Sequence, residues 1–164
     1  MKIAGLVLAA GAGTRFGQPK APVVIGGERL VDRSVRILTH AGCDPVVTVL
    51  GAWVGQVNEC VVIENDQWFE GIGSSLRAGL RYLADQSTAD AVMITLVDLP
   101  GLTQEAIQRV AQSEGELVVA CYSGKRGHPV KMSRRIWGEA ILTAQGNEGA
   151  RRLLDSQPDL VLVE

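Results

Sequence analysis

The sequence predicts an α/β fold: a three-layer sandwich with a mostly parallel sheet between two layers of helices. Short β-branched apolar runs alternate with amphipathic segments of helical period, the pattern of strands joined by crossover helices. Some runs are apolar almost throughout, Val92-Met-Ile-Thr-Leu-Val97 above all. A strand of that kind belongs in a sheet covered on both faces. The 164 residues, 46% of them hydrophobic, suffice for one core, so a single domain over 1–164 is expected.

In chain order, the first strand is Ile3–Leu8, apolar and halted by a glycine run. A helix follows over Leu30–Ala41. Its Val31, Val35 and Leu38 recur at helical spacing and face the core, and Gly42 is a natural stop. Pro45–Leu50 and Cys60–Glu64 read as strands. Ser74–Ala84 reads as a helix, with Ser74 or Ser75 as its cap. Ala91–Val97 is a strand, Thr103–Gln112 a helix and Leu117–Tyr122 a strand. Arg126-Gly-His-Pro129 is expected to be a loop. Helices over Ser133–Leu142 and Gly149–Leu154 and a strand at Leu160–Val163 complete the pattern. No linker, repeat or low-complexity tract interrupts it.

Composition excludes several partners. A net charge of −2 gives no basic footprint for nucleic acid, and 4% aromatics leave little base-stacking surface. Cys43, Cys60 and Cys121 are far apart and match no zinc or C-x-x-C spacing. They read as buried free thiols of a reducing cytoplasm. Met1-Lys2 leads straight into the first strand, so no signal peptide is expected. No apolar run approaches a membrane span.

The most informative segment is Leu8-Ala9-Ala10-Gly11-Ala12-Gly13-Thr14-Arg15-Phe16-Gly17-Gln18-Pro19-Lys20. Glycines let the backbone come close to a ligand and adopt positive φ. Successive N–H groups then point at anionic oxygens. Arg15 adds a forked donor and Lys20 a compact charge. The P-loop spacing G-x-x-x-x-G-K-[ST] is absent, because Lys20 follows Gln18-Pro19. The dinucleotide spacing G-x-G-x-x-G is absent as well, because Gly17 falls one residue too far. Pro19 and Pro22 oppose a helix leaving the loop directly. This is a phosphate loop of another kind. Asp98 ends an apolar strand just before Leu99-Pro100. At that end of an α/β sheet ligands bind, and a hard carboxylate oxygen there suits Mg²⁺. The ordinary alternative is a turn-forming Asp. His128 beside Pro129 reads first as structural. His40, at a helix end, reads as solvated, and Trp53, Trp68 and Trp137 read as packing residues.

The loop resembles the signature of nucleotidyltransferases acting on the molybdenum cofactor, and of sugar-1-phosphate nucleotidyltransferases more widely. Further segments fit in order: Asn65–Leu80, Leu96–Pro100, Gly127–Val130 and Gly146–Arg151. The resemblance spans nearly the whole chain. It implies a Rossmann-like sheet of the nucleotide-diphospho-sugar transferase type. It also implies transfer of a nucleoside monophosphate from an NTP to the phosphate of molybdopterin, with Mg²⁺ as cofactor and pyrophosphate as product. The product's recipient would be a molybdoenzyme or its chaperone.

By the same resemblance Arg15, Lys20 and Asp98 are the catalytic set, with Asp98 on the metal. Leu8, Ala9, Ala10, Gly11, Gly13, Lys20, Asn65, Gly73, Ser74, Ser75 and Asp98 surround the nucleotide. His128 and Arg151 meet the organic substrate, where His128 would donate a hydrogen bond. Ala10 resembles the cytidylyl group, whereas the guanylyl group has glycine there, so CTP is favoured over GTP. Two departures bear on the metal. Asn147 stands where the family has an acid, with Glu148 shifted by one position. The family's further acidic segment after the last strand has no counterpart before Glu164. Two other readings stay open. Val97–Pro100 and Gly127–Pro129 look as close to a nicotine-blue-type NAD(P)H oxidoreductase of the same superfamily. A non-catalytic nucleotide-binding protein that delivers the cofactor would suit the missing acids.

Overall fold

In the computed structural model, which describes residues 1–164, the chain follows the expected alternation. It runs β1 (Ile3–Ala9), β2 (Val24–Ile25), β3 (Glu28–Arg29), α1 (Leu30–His40), β4 (Val46–Leu50), β5 (Val61–Glu64) and α2 (Ile72–Gln86). It continues with β6 (Ala91–Leu96), α3 (Gln104–Gln112), β7 (Leu117–Tyr122), β8 (Lys125–Ser133), α4 (Trp137–Thr143), α5 (Arg151–Ser156) and β9 (Val161–Val163). Seven strands form one sheet in the order β5-β4-β1-β6-β8-β7-β9, and β2 pairs only with β3. β8 is antiparallel to both its neighbours, while the other pairings in this sheet are parallel.

The period of two along each strand divides the core. Leu6 and Leu8 of β1 join Val47, Val49, Val92 and Ile94 under α2, α4 and α5. Val7 and Ala9 join Val46, Leu50 and Met93 under α1 and α3. The result is a helix–sheet–helix sandwich. Val31, Val35 and Leu38 are buried, as their spacing predicts. α1 stops at His40, and Gly42 follows with φ +95°.

The site-forming feature is the reversal of strand order at β1. From β1 the chain winds outward through β4 to β5, then returns to β6 on the other side of β1. Parallel neighbours whose connections leave in opposite directions open a crevice at their carboxyl ends. The glycine loop leaves β1 there, and Asp98 lies two residues beyond β6.

Three local expectations are corrected. Arg126–Pro129 is not a loop but the first half of β8. Proline is tolerated because it falls where β7–β8 pairing shifts register, between Val119 and Cys121, and outside the β6–β8 ladder, which ends at Ile94–Val130. Ser74 and Ser75 are not caps. α2 begins at Ile72 after Gly71, which is the cap residue and makes no side-chain capping bond. The segment from Ser133 does not start as an α-helix. Ser133 ends β8 and caps a 3₁₀ turn over Arg134–Ile136, and α4 starts at Trp137.

Candidate functional site

The loop after β1 is folded on itself. Gly17 N donates to Gly13 O at 2.7 Å. Gly13 has φ +61°, and a Cβ there would overlap the Gln18 carbonyl. Glycine is therefore required by the turn itself. Arg15 rides on the outer, exposed curve of this turn and lines neither of the cavities described below. Lys20 comes back from the turn. Its Nζ donates to Asp98 Oδ2 at 2.8 Å, with both side chains a little over one-third exposed. The Asp98 loop is held from behind by α1, where Arg33 donates to the Leu99 and Leu102 carbonyls at 3.3 and 2.8 Å.

Asn65 is turned into the protein. Its Nδ2 donates to Ser74 Oγ at 2.9 Å and Ser75 Oγ at 3.1 Å, and its Oδ1 accepts from Gln67 N. Ser74 Oγ is within 2.9 Å of both the Gln67 and Gly71 carbonyls. These bonds fix the turn Trp68–Glu70 onto the start of α2. Gly73 serves packing: a Cβ there would press on the backbone of Gln145. Gly71 has φ +109°, and a Cβ would overlap Gly146 and the Asn147 amide. Asn65, Gly73 and Ser74 thus shape the wall without lining either of the two cavities described next, whereas Ser75 lines one of them.

Two cavities open at the carboxyl edge. One, of about 460 Å³, is lined by Leu8–Thr14, Lys20, Ser75 and Asp98, with Trp68 and Phe69. The other, of about 470 Å³, is lined by Arg126, His128, Glu148, Arg151 and Asp155 over an apolar floor that includes Ile94 and Val130. Each is large enough for an organic ligand of its own. They share Leu8, Ile72, Leu96 and Asn147, so occupants of the two would meet at one wall. Sequence reasoning gave Phe69 and Arg126 no role in the site and read Trp68 as a packing residue. The segment that carries the aromatics was visible, but side-chain exposure is not written in residue type.

The rim of the second cavity carries charges of both signs, Arg126 and Arg151 beside Glu148 and Asp155. Arg126 pairs with Asp155 at 2.9 Å. Arg152 takes the Glu148 carboxylate at 2.7 Å, which draws Glu148 towards the protein's own cation. Arg151 is exposed and lines the cavity. His128 Nδ1 lies 3.4 Å from the Ile94 carbonyl. A carbonyl only accepts, so this contact favours a proton on Nδ1 and leaves Nε2 as an acceptor. Burial lowers the His128 pKa, against the Ile94 carbonyl and the Asp98 charge, which both raise it. The lowered pKa favours the neutral ring, which in this tautomer has Nε2 as its acceptor.

No group of three or more His, Cys, Asp or Glu side chains forms a metal cage. Asp98 is a lone, half-exposed carboxylate in the first cavity. This donor set fits a hard cation that keeps most of its shell from water and substrate phosphates, as Mg²⁺ does. No helix is long and apolar enough to cross a membrane.

A family model described as the MobA-like NTP transferase domain matches residues 5–161. The chain belongs to that family. It is 34% identical to the nicotine blue oxidoreductase of Paenarthrobacter nicotinovorans, over 97% of this chain and 84% of that one. It is also 34% identical to a probable molybdenum cofactor guanylyltransferase of Opitutus terrae, over 75% of this chain and 57% of that one. The crystal structure of Rv0371c from Mycobacterium tuberculosis superimposes with a TM-score of 0.85 at 23% identity, covering 99% of this chain and 87% of that one. That likeness establishes the fold, with its mostly parallel sheet and flanking helices.

Proposed function

We propose that this member of the family transfers a nucleoside monophosphate from an NTP to the phosphate of a pterin-type molybdenum cofactor. The observation that carries the reading is the pair of cavities sharing one wall, one built on the phosphate loop and the other rimmed by Arg126 and Arg151. A flat body over the apolar floor with an anionic group at Arg151, and at Arg126 once it leaves Asp155, describes a pterin phosphate. The acceptor phosphate oxygen attacks the α-phosphorus, the bond from that phosphorus to the β-phosphate's bridging oxygen breaks, and pyrophosphate leaves. Leu8–Gly13 cradles the triphosphate through backbone N–H groups. Lys20 moves from Asp98 onto the phosphates and offsets their charge. Asp98 and the phosphates would hold Mg²⁺, which would supply Lewis-acid stabilisation of the departing pyrophosphate. Arg15 reaches the phosphates only if the outer turn closes over them. Asn65, Gly73 and Ser74 act through the wall they build, and Ser75 borders the ribose. His128 Nε2 accepts from the pterin. No covalent enzyme intermediate is needed, so positioning and charge provide the rate.

CTP is the preferred donor in this reading. The Ala10 methyl lies against Gly51, beside Trp68, on the wall of the nucleotide cavity. A pyrimidine placed beside this methyl asks for less room than a purine. The three unpaired thiols suit the cytoplasm, with a molybdoenzyme or its chaperone as recipient of the product. The deciding experiment combines the protein with Mg²⁺, CTP or GTP and molybdopterin, and follows pyrophosphate and dinucleotide. Product with CTP ahead of GTP is expected; no release with any NTP would overturn the reading. A second reading rests on the relative named nicotine blue oxidoreductase, which aligns along 97% of the chain. NAD(P)H consumption with a quinoid dye, without pyrophosphate release, would favour it.

A further inference from the structure

We infer that Phe69, with Trp68 behind it, is the platform on which the nucleobase stacks; this rests on the proposed binding of an NTP. Among the residues lining the nucleotide cavity, Trp68 and Phe69 are the aromatic ones. Their rings stand 6.2 Å apart at 79°, forming a corner. Trp68 is committed to packing, since its Cβ and Cγ crowd the position a Gly51 side chain would occupy. Phe69 is not: 71% of it is exposed. A large apolar ring left in water on a mobile loop would have little meaning, but this turn is fixed. Asn65 and Ser74 bind the backbone of Gln67 and Gly71, which flank it. Glu70 within it pairs with Arg77 of α2 at 3.3 Å. The polar network of residues 65–75 thus spends its hydrogen bonds on presenting one exposed ring at a cavity whose charged end is Lys20–Asp98. A flat base lying on Phe69 and meeting Trp68 edge-on would use both rings. Stacking is tolerant of base identity, so this residue sets nucleotide affinity while the Ala10 side of the pocket sets the choice of base.

The test is calorimetric binding of CTP, GTP and inorganic tripolyphosphate to the wild type and to Phe69→Ala, Phe69→Leu and Phe69→Tyr. Stacking predicts that Ala and Leu weaken CTP and GTP by about tenfold. Tyr keeps wild-type affinity, and tripolyphosphate binds all four proteins alike. Phe69→Leu retains apolar bulk, so a folding defect in the alanine variant does not hide the answer. Equal CTP affinity in wild type and Phe69→Leu overturns the inference alone, as does an equal loss of tripolyphosphate. A wild type that binds neither CTP nor tripolyphosphate removes the NTP reading itself, and the stacking role with it.

Discussion

Asp98 pairs with Lys20 at 2.8 Å; in the proposed reaction that lysine is drawn to phosphate and the carboxylate turns to the metal. Such a half-exposed pair adds little to folding, so its value lies in the site. Lys20→Ala and Asp98→Asn should each lower NTP turnover at least about tenfold, a loss of roughly 1.4 kcal/mol of transition-state stabilisation. Melting temperatures should stay nearly unchanged, and steady-state rates beside thermal scans check both halves. Chelation with EDTA should abolish turnover and leave the fold intact. His128 makes a pH prediction. Burial holds its folded pKa below the ordinary 6.5, so the unfolded chain takes up this proton first as pH falls. The associated stability is complete above about pH 6.5 and declines below it. Urea denaturation at about pH 8 and pH 5.5 should show a larger acid loss for wild type than for His128→Asn. Equal losses would mean that the ring is not the titrating group.

The elements that position these groups were legible where periodicity is strong. β1, β4, β6 and α1 follow from apolar period and stop signals, and the phosphate loop follows from glycine spacing. β8 was hidden because Gly127 and Pro129 are poor strand formers, and only the register shift against β7 explains their presence. Asn65, Ser74 and Ser75 were visible as a polar cluster. That two of them face inward, as a brace for the aromatic turn, depends on contacts no local pattern encodes. The approach of α2 to residues 145–147 was equally hidden. It is made by Gly71 and Gly73, whose missing Cβ atoms let Asn147 reach the wall between the cavities. Gly71→Ala forces a positive φ and a backbone overlap, and should cost about 1–3 kcal/mol. Gly138, on α4, has nothing within 4 Å of its Cβ position. Gly138→Ala should be neutral or stabilising by up to about 1 kcal/mol. Chemical denaturation of the two variants distinguishes close approach from generic glycine cost.

At the scale of the whole molecule, the strand order puts both cavities on one edge of the sheet. β1 and β6 carry the phosphate loop and Asp98, and β8 bends away beyond Ile94 to open the second cavity beside them. The first cavity is walled by segments after β1, β5 and β6 together with Asn147, so a ligand filling it ties four stretches of chain together. Binding to the folded state alone stabilises it by about 2.7 kcal/mol at one hundred times Kd. For a chain of this size each kcal/mol raises the melting temperature by roughly 2–4 °C. Saturating CTP with Mg²⁺ should therefore raise the midpoint by roughly 5–10 °C, and Asp98→Asn should lose most of that rise. NADPH should give no comparable rise, because the loop lacks the dinucleotide spacing. A thermal scan with each ligand thus ranks the two enzyme readings before either acceptor is in hand. A rise with NADPH and none with CTP or GTP would assign the crevice to the oxidoreductase reading.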